Sequence, residues 1–217
     1  MAEAAPRRPR NPEATREAIL EAARALLARH GPEAISLSEV AHLAGVNRGT
    51  AYQHFETREK LVDATAQWVS DWMFRQVFGD PATLGERQIE QVDIADITTR
   101  ITSLAMDHPE LCRIWLMKVL ASPEPAEDPF WREYEGSISR FAETGLSQDG
   151  IDSEVLSVLM LAGAFLWPVW ARSHARSDSE RGELARRFTA ECLRLSLFGT
   201  MKPELFPGIV AGLDGDT

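Results

Sequence analysis

Asn47, Arg48, Gly49, Thr50, Tyr52, Gln53 and His54 fall within eight consecutive residues, and Arg58 follows one helical turn later. Together these groups suit contact with a nucleic acid. A guanidinium at Arg48 can donate a bidentate pair to guanine, while Thr50 and Gln53 can reach base edges or a thymine methyl. Tyr52, His54 and Arg58 suit phosphate oxygens, as does Ser36 upstream, and contacts of that kind fix position rather than sequence. Ser38 can serve either purpose. Gly49 lets a backbone approach at a helix start, where unpaired amides and the positive end of the dipole favour phosphate. Asn47 is placed to cap that helix. Plainer roles compete: Tyr52 and Phe55 can close a small core, and His54 can be a charge at a helix C-terminus.

Catalytic arrangements are missing. No Ser/His/Asp or Cys/His set can be paired, no glycine loop cradles phosphate, and His30, His42, His54, His108 and His174 are isolated without metal-ligand spacing. The expectation is no enzyme, no metal and no cofactor. Cys112 and Cys192 sit in apolar helical patterns with no disulfide framework around them, which fits a reducing cytoplasm. The longest apolar run, residues 158–171, is shorter than the ~20 residues of a membrane span. No membrane partner is expected, and the N-terminal residues lack the apolar segment of a secretory signal.

Charge is unevenly spread over the 217 residues. Residues 1–60 hold nine Lys/Arg against eight Asp/Glu, a net of +1, and residues 61–217 hold fourteen against twenty-five, a net of -11. A near-neutral head with Arg7, Arg8, Arg10 and Arg16 can approach a polyanion, whereas the acidic body is repelled from it.

The elements that must position these groups are helices, since no run alternates with period two. Asn11-Pro12 opens a helix over 12–30, stopped by Gly31-Pro32. Ser36 to Glu39 is a capping box for a helix of about eight residues, in which Val40, Ala41 and Leu43 face inward, with Val46 beyond the turn also core. Gly45 supplies the left-handed turn. Asn47 caps a third helix over 48–54, and Thr57 caps a fourth over 58–78 that has apolar groups on much of its circumference. Beyond it, helices are expected over 88–106, 109–120, 129–145, 153–174 and 178–198, the last opened by a second capping box, Ser177 to Glu180. The architecture predicted is all-α: an arm over 1–11, a three-helix helix-turn-helix head over 12–57, and a helical body over 58–217 reached through the long fourth helix.

Residues 14–62 resemble the DNA-binding domain of the tetracycline-repressor (TetR) family of bacterial regulators. The resemblance rests on Thr15-Arg16, Ile19-Leu20 with Ala22-Ala23, Gly31, Val40-Ala41 with Ala44-Gly45-Val46, Gly49-Thr50 with Tyr52 and His54-Phe55, and Glu59 with Leu61. Arg58 stands where a lysine is usual, and Ser36 where a threonine is common. The likeness implies a homodimer on a palindromic double-stranded operator, acting as a repressor, with an antiparallel helical body that dimerises and binds a small effector.

The body's residues agree in outline. Val155, Leu159 and Leu166, with Leu184, Phe188 and Leu195, form apolar stripes on the last two long helices that can pair with a second copy, or else pack within the chain. Pro168 is expected to kink its helix and leave room beside it. Trp72, Met106, Trp115, Trp131, Tyr134, Phe165 and Trp167 are the candidate lining of an apolar cavity for an apolar or aromatic effector, with His108 and Arg113 near a polar group. The rival reading is a DNA-binding regulator without an effector, an activator or an architectural factor.

Overall fold

The computed structural model describes residues 11–31, 35–84 and 89–214; the Arg/Pro arm up to Arg10 and the stop at Pro32 lie outside them. The described residues are helical apart from turns and one isolated antiparallel bridge between Ser147 and Met201. The chain divides into two compact units, Met1–Trp68 and Val69–Thr217, and the division falls inside a helix.

The first unit holds α1 (Pro12–His30), α2 (Leu37–Leu43), α3 (Arg48–His54) and the start of α4 (Arg58–Phe78). Polar residues set each start. Asn11 Oδ1 accepts the Glu13 amide at 3.1 Å, Ser36 Oγ the Glu39 amide at 3.1 Å, Asn47 Oδ1 the Thr50 amide at 2.7 Å, and Thr57 Oγ1 the Lys60 amide at 3.2 Å. Gly45, at φ 66°, makes the turn from α2 to α3, closed by the Val46 amide on the Ala41 carbonyl at 3.0 Å. Ile19, Ala23, Leu27, Val40, Ala51 and Leu61 are sealed in the core. Leu43 departs from expectation at 50% exposed, and Val46 is only half-buried. The α2 stripe is Leu37, Val40, Ala41 and Ala44, at helical spacings of three and four, and Leu43 falls beside it.

The second unit continues α4 and adds α5 (Pro81–Leu84), α6 (Ile94–Asp107), α7 (Pro109–Leu120), α8 (Pro129–Ala142), α9 (Ser153–His174), α10 (Asp178–Gly199) and α11 (Pro207–Asp214). The helix expected over 88–106 begins at Ile94, because Asp93 caps it by accepting the Asp96 amide at 2.9 Å; a single 3-10 turn, Ile89–Gln91, precedes it. α8 ends at Ala142 rather than 145, and α5 and α11 had no sequence counterpart. α9 runs through the buried Pro168 as one helix. Its neighbours are α6, α7, α8 and α10.

Asp128 ties three of these helices together. Its Oδ1 caps α8 through the Trp131 amide at 3.0 Å and accepts the Ser70 hydroxyl of α4 at 2.7 Å, while Oδ2 accepts the Trp115 indole of α7 at 3.0 Å. Above it Trp115, Phe130 and Phe165 are fully buried, Trp115 meeting Phe130 at 5.0 Å and Phe165 at 5.6 Å, edge to face.

Candidate functional site

In the head, α3 presents Arg48, Tyr52 and Gln53 to solvent, with His54 half-buried and Ala51 sealed on the inner side. Arg48 rests on its own helix: its guanidinium lies 5.4 Å from the Tyr52 ring centre, with Nη2 3.4 Å from the hydroxyl. Asn47 is occupied, since Oδ1 takes both the amide and, at 3.0 Å, the hydroxyl of Thr50. Thr50 therefore offers outward a methyl and an acceptor, its proton being used. A Cβ on Gly49 would meet only Asn47 Oδ1, at 3.4 Å, so the head's packing makes no demand for glycine there. Ser36 and Ser38 are exposed, one capping α2 and one on its first turn. Arg58 is drawn inward, with Nε donating to the Ile35 carbonyl at 3.0 Å. Phe55 is core, 4% exposed, with the Arg16 guanidinium 5.3 Å from its ring centre.

In the second unit a cavity of about 180 Å³ lies among α6, α8, α9 and α10. Its wall is mostly aliphatic: Ile94, Ile97 and Ile101 from α6, Ile138 from α8, Leu156 and Met160 from α9, with Phe78, Phe141 and Phe188. Three wall hydroxyls are turned back on their own helices, Thr98 onto the Ile94 carbonyl, Thr102 onto Thr98 and Thr200 onto Ser196. The charged part is a closed cluster on α8. Arg140 Nη2 donates to Glu133 Oε1 at 2.8 Å and to Ser137 Oγ at 2.9 Å, and the Ser137 hydroxyl donates to the same carboxylate oxygen at 3.0 Å. Cys192 also lines the cavity, and burial pushes its thiol up to about 11, so it is neutral at pH 7. A wider, shallower groove of about 960 Å³ runs between α6, α10 and α11.

Of the residues expected to line a cavity, Tyr134 does; Trp72, Met106, Trp115, Trp131, Phe165 and Trp167 are not on this wall. Trp115, Trp131 and Phe165 are packed into the core, Trp72 sets its ring edge-on to His108 at 4.9 Å, and Met106 is half-buried. Trp167 is stacked between Trp170 at 4.8 Å and Phe188 at 5.2 Å, its indole donating to the Leu184 carbonyl at 3.2 Å. Arg113 is paired with Glu110 at 2.7 Å. The isoleucines of α6 went unnamed in the sequence reading, although Ile94, Ile97 and Ile101 repeat at helical spacing. Among the described residues no group of three His, Cys, Asp or Glu side chains is placed to hold a metal ion.

The profile of the family described as bacterial regulatory proteins, tetR family, matches residues 19–65, which span α1 to the start of α4. The chain carries a TetR-family head. The HTH-type transcriptional repressor KstR2 of Mycolicibacterium smegmatis is 31% identical over 70 residues, covering 32% of this chain and 34% of that protein. The match thus spans about a third of that relative. A crystal structure of a gamma-butyrolactone receptor (ArpA like protein) superposes with TM-score 0.61 at 22% identity, covering 95% of this chain and 99% of the other. AibR in complex with isovaleryl coenzyme A and operator DNA superposes with TM-score 0.59 at 18% identity, covering 82% and 97%. These two likenesses show that the all-helical fold is shared over most of the chain.

Within the second unit, α9 and α10 keep an apolar face uncovered. Val155, Leu159, Leu166 and Leu195 are 54%, 65%, 47% and 52% exposed, and Trp170 and Phe198 join them. Leu184 is buried within the chain and Phe188 turns to the cavity, so these two belong to the inner side of the same helices. By length and composition α9 is the one described helix able to cross a membrane, although it is also packed against four neighbours.

Proposed function

We propose that this protein is a homodimeric, DNA-binding transcriptional regulator of the cytoplasm, a repressor that leaves a palindromic operator when an apolar or aromatic small molecule fills the cavity of the second unit. The observation that carries the reading is the outward face of α3, where Arg48, Tyr52 and Gln53 stand exposed on a helix whose inner side is sealed. That is how a recognition helix enters the major groove. The exposed apolar face of α9 and α10 suits a seam with a second copy, in which α9 is covered by protein rather than by lipid. A cavity with a mostly aliphatic wall suits an apolar ligand.

Selection from random duplexes tests this. The expected product is a two-fold palindrome whose half-site centres lie about 34–36 Å apart or a multiple of that. Leu159→Arg buries an unpaired charge in the proposed seam and is expected to give a monomer by light scattering that no longer holds the palindrome. Enrichment of unrelated sequences, or an intact dimer in the variant, contradicts the reading.

A further inference from the structure

Tyr134 carries a polar group with nothing to bond. Its ring stacks on Phe130 at 6.3 Å and 5°, deep in the second unit, and its hydroxyl forms no hydrogen bond with any described residue. Burial raises the pKa of that hydroxyl well above the ordinary tyrosine value, so it keeps its proton at any working pH. It is not sealed in packed core either. Among the described residues Ser157 Oγ is the one sealed side-chain oxygen without a partner, whereas Tyr134 stands on the cavity wall. A phenol on the wall of a mostly apolar space has a proton to give to whatever acceptor enters that space.

The surroundings restrict what that acceptor is. The wall hydroxyls of Thr98, Thr102 and Thr200 are spent on their own helices, which leaves Tyr134 and Ser196 as the wall hydroxyls with a proton for a ligand. Arg140 is neutralised by Glu133 and bonded to Ser137, and it lies back over Gly136, where a Cβ would come 3.2 Å from Nη1. An anionic ligand would have to break that pair, with no net charge gained. A carbonyl needs only the proton that Tyr134 offers, and it brings no donor of its own to place against a mostly aliphatic wall. The volume of about 180 Å³ sets the size, because a cavity of roughly 150 Å³ with apolar walls takes benzene.

We propose that the cavity selects a small, uncharged molecule with an apolar body and one carbonyl oxygen, a ketone, ester or lactone, which accepts a hydrogen bond from Tyr134. This rests on the reading of the cavity as the effector site and adds the chemistry it recognises. The probes are acetophenone, ethylbenzene and benzoate, titrated by calorimetry into the full-length chain and into Tyr134→Phe.

Wild type is expected to bind acetophenone about 3- to 10-fold more tightly than ethylbenzene, the range of one neutral hydrogen bond, and benzoate more weakly than either. In Tyr134→Phe the ratio of the first two falls to about one while ethylbenzene binding persists, which also shows that the variant is folded. Met160→Trp, which fills the cavity, abolishes all binding. Equal binding of acetophenone and ethylbenzene in wild type, an unchanged ratio in Tyr134→Phe, or tighter benzoate binding overturns the carbonyl proposal and leaves an apolar site standing. Failure of all three probes to bind, or binding that survives Met160→Trp, overturns the effector-site reading together with it.

Discussion

Gly49 is the residue at which the head's stability and its proposed function pull apart. Glycine inside a helix costs about 0.5–1 kcal/mol relative to alanine, and a Cβ there would touch only Asn47 Oδ1, at 3.4 Å. Nothing within the head compensates for that cost. On the proposed function the compensation comes from outside, through a DNA backbone that approaches the first turn of α3. Gly49→Ala is therefore expected to raise the thermal midpoint of the head, corresponding to about 0.5 kcal/mol, while weakening operator binding several-fold. Arg48→Ala is the companion, with an unchanged midpoint, a loss of about 1–3 kcal/mol in operator affinity and relaxed preference at one position per half-site. If Gly49→Ala proves more stable and binds the operator as tightly as wild type, close backbone approach is not what the glycine provides. That Arg48 and Gln53 stand exposed on one short helix could be read from the sequence, because helical spacing is local. The inward turn of Arg58 onto the Ile35 carbonyl could not, because it depends on where two segments 23 residues apart meet.

At the scale of elements, most starts of the long helices were legible because caps are local, that of α6 at Asp93 being missed. Ser36, Asn47 and Ser177 each accept the amide three residues on, and Glu180 reaches back past Ser177 to accept the Arg176 amide. Which helix faces meet was not legible. Trp115 and Phe165 were reasonable guesses for a cavity wall, but edge-to-face contacts with each other and with Phe130 let them fill space, and the open volume is left beside the side chains of α6 and α10. One tie between elements has a consequence for pH. Glu110 of α7 is held below the usual carboxylate range first by its hydrogen bond to Arg113 and then by Arg172 of α9, whose Nη1 lies 2.9 Å from Oε1. With the folded pKa depressed, the stabilisation is present above the unfolded value of about 4.5 and is lost as pH falls through the folded one. Glu110→Gln is expected to narrow the drop in urea midpoint between pH 6 and pH 3. The difference is on the order of 0.5 kcal/mol, because solvent screens so exposed a pair. An identical drop in the variant would show that α7 and α9 do not depend on this pair.

For the whole molecule, the chain passes from the first unit to the second inside α4, without an intervening loop. In the proposed dimer a ligand in the cavity touches only the second unit, so it can alter DNA binding only by favouring one conformation over another. The heads need not unfold for that. A coupling of about 1–3 kcal/mol corresponds to roughly a 5- to 150-fold loss of operator affinity, and linkage requires operator to weaken ligand binding by the same factor. The expected result is thus reciprocal: with saturating operator the ligand isotherm moves to higher concentration by the factor that saturating ligand imposes on the operator isotherm. Tryptophan fluorescence can report it, since Trp167 stacks directly on the cavity residue Phe188. Trp167→Phe should remove most of the signal and leave the affinity near its wild-type value. A ligand that binds stoichiometrically with the same affinity in the presence and absence of operator would leave the DNA-binding head without control from this cavity.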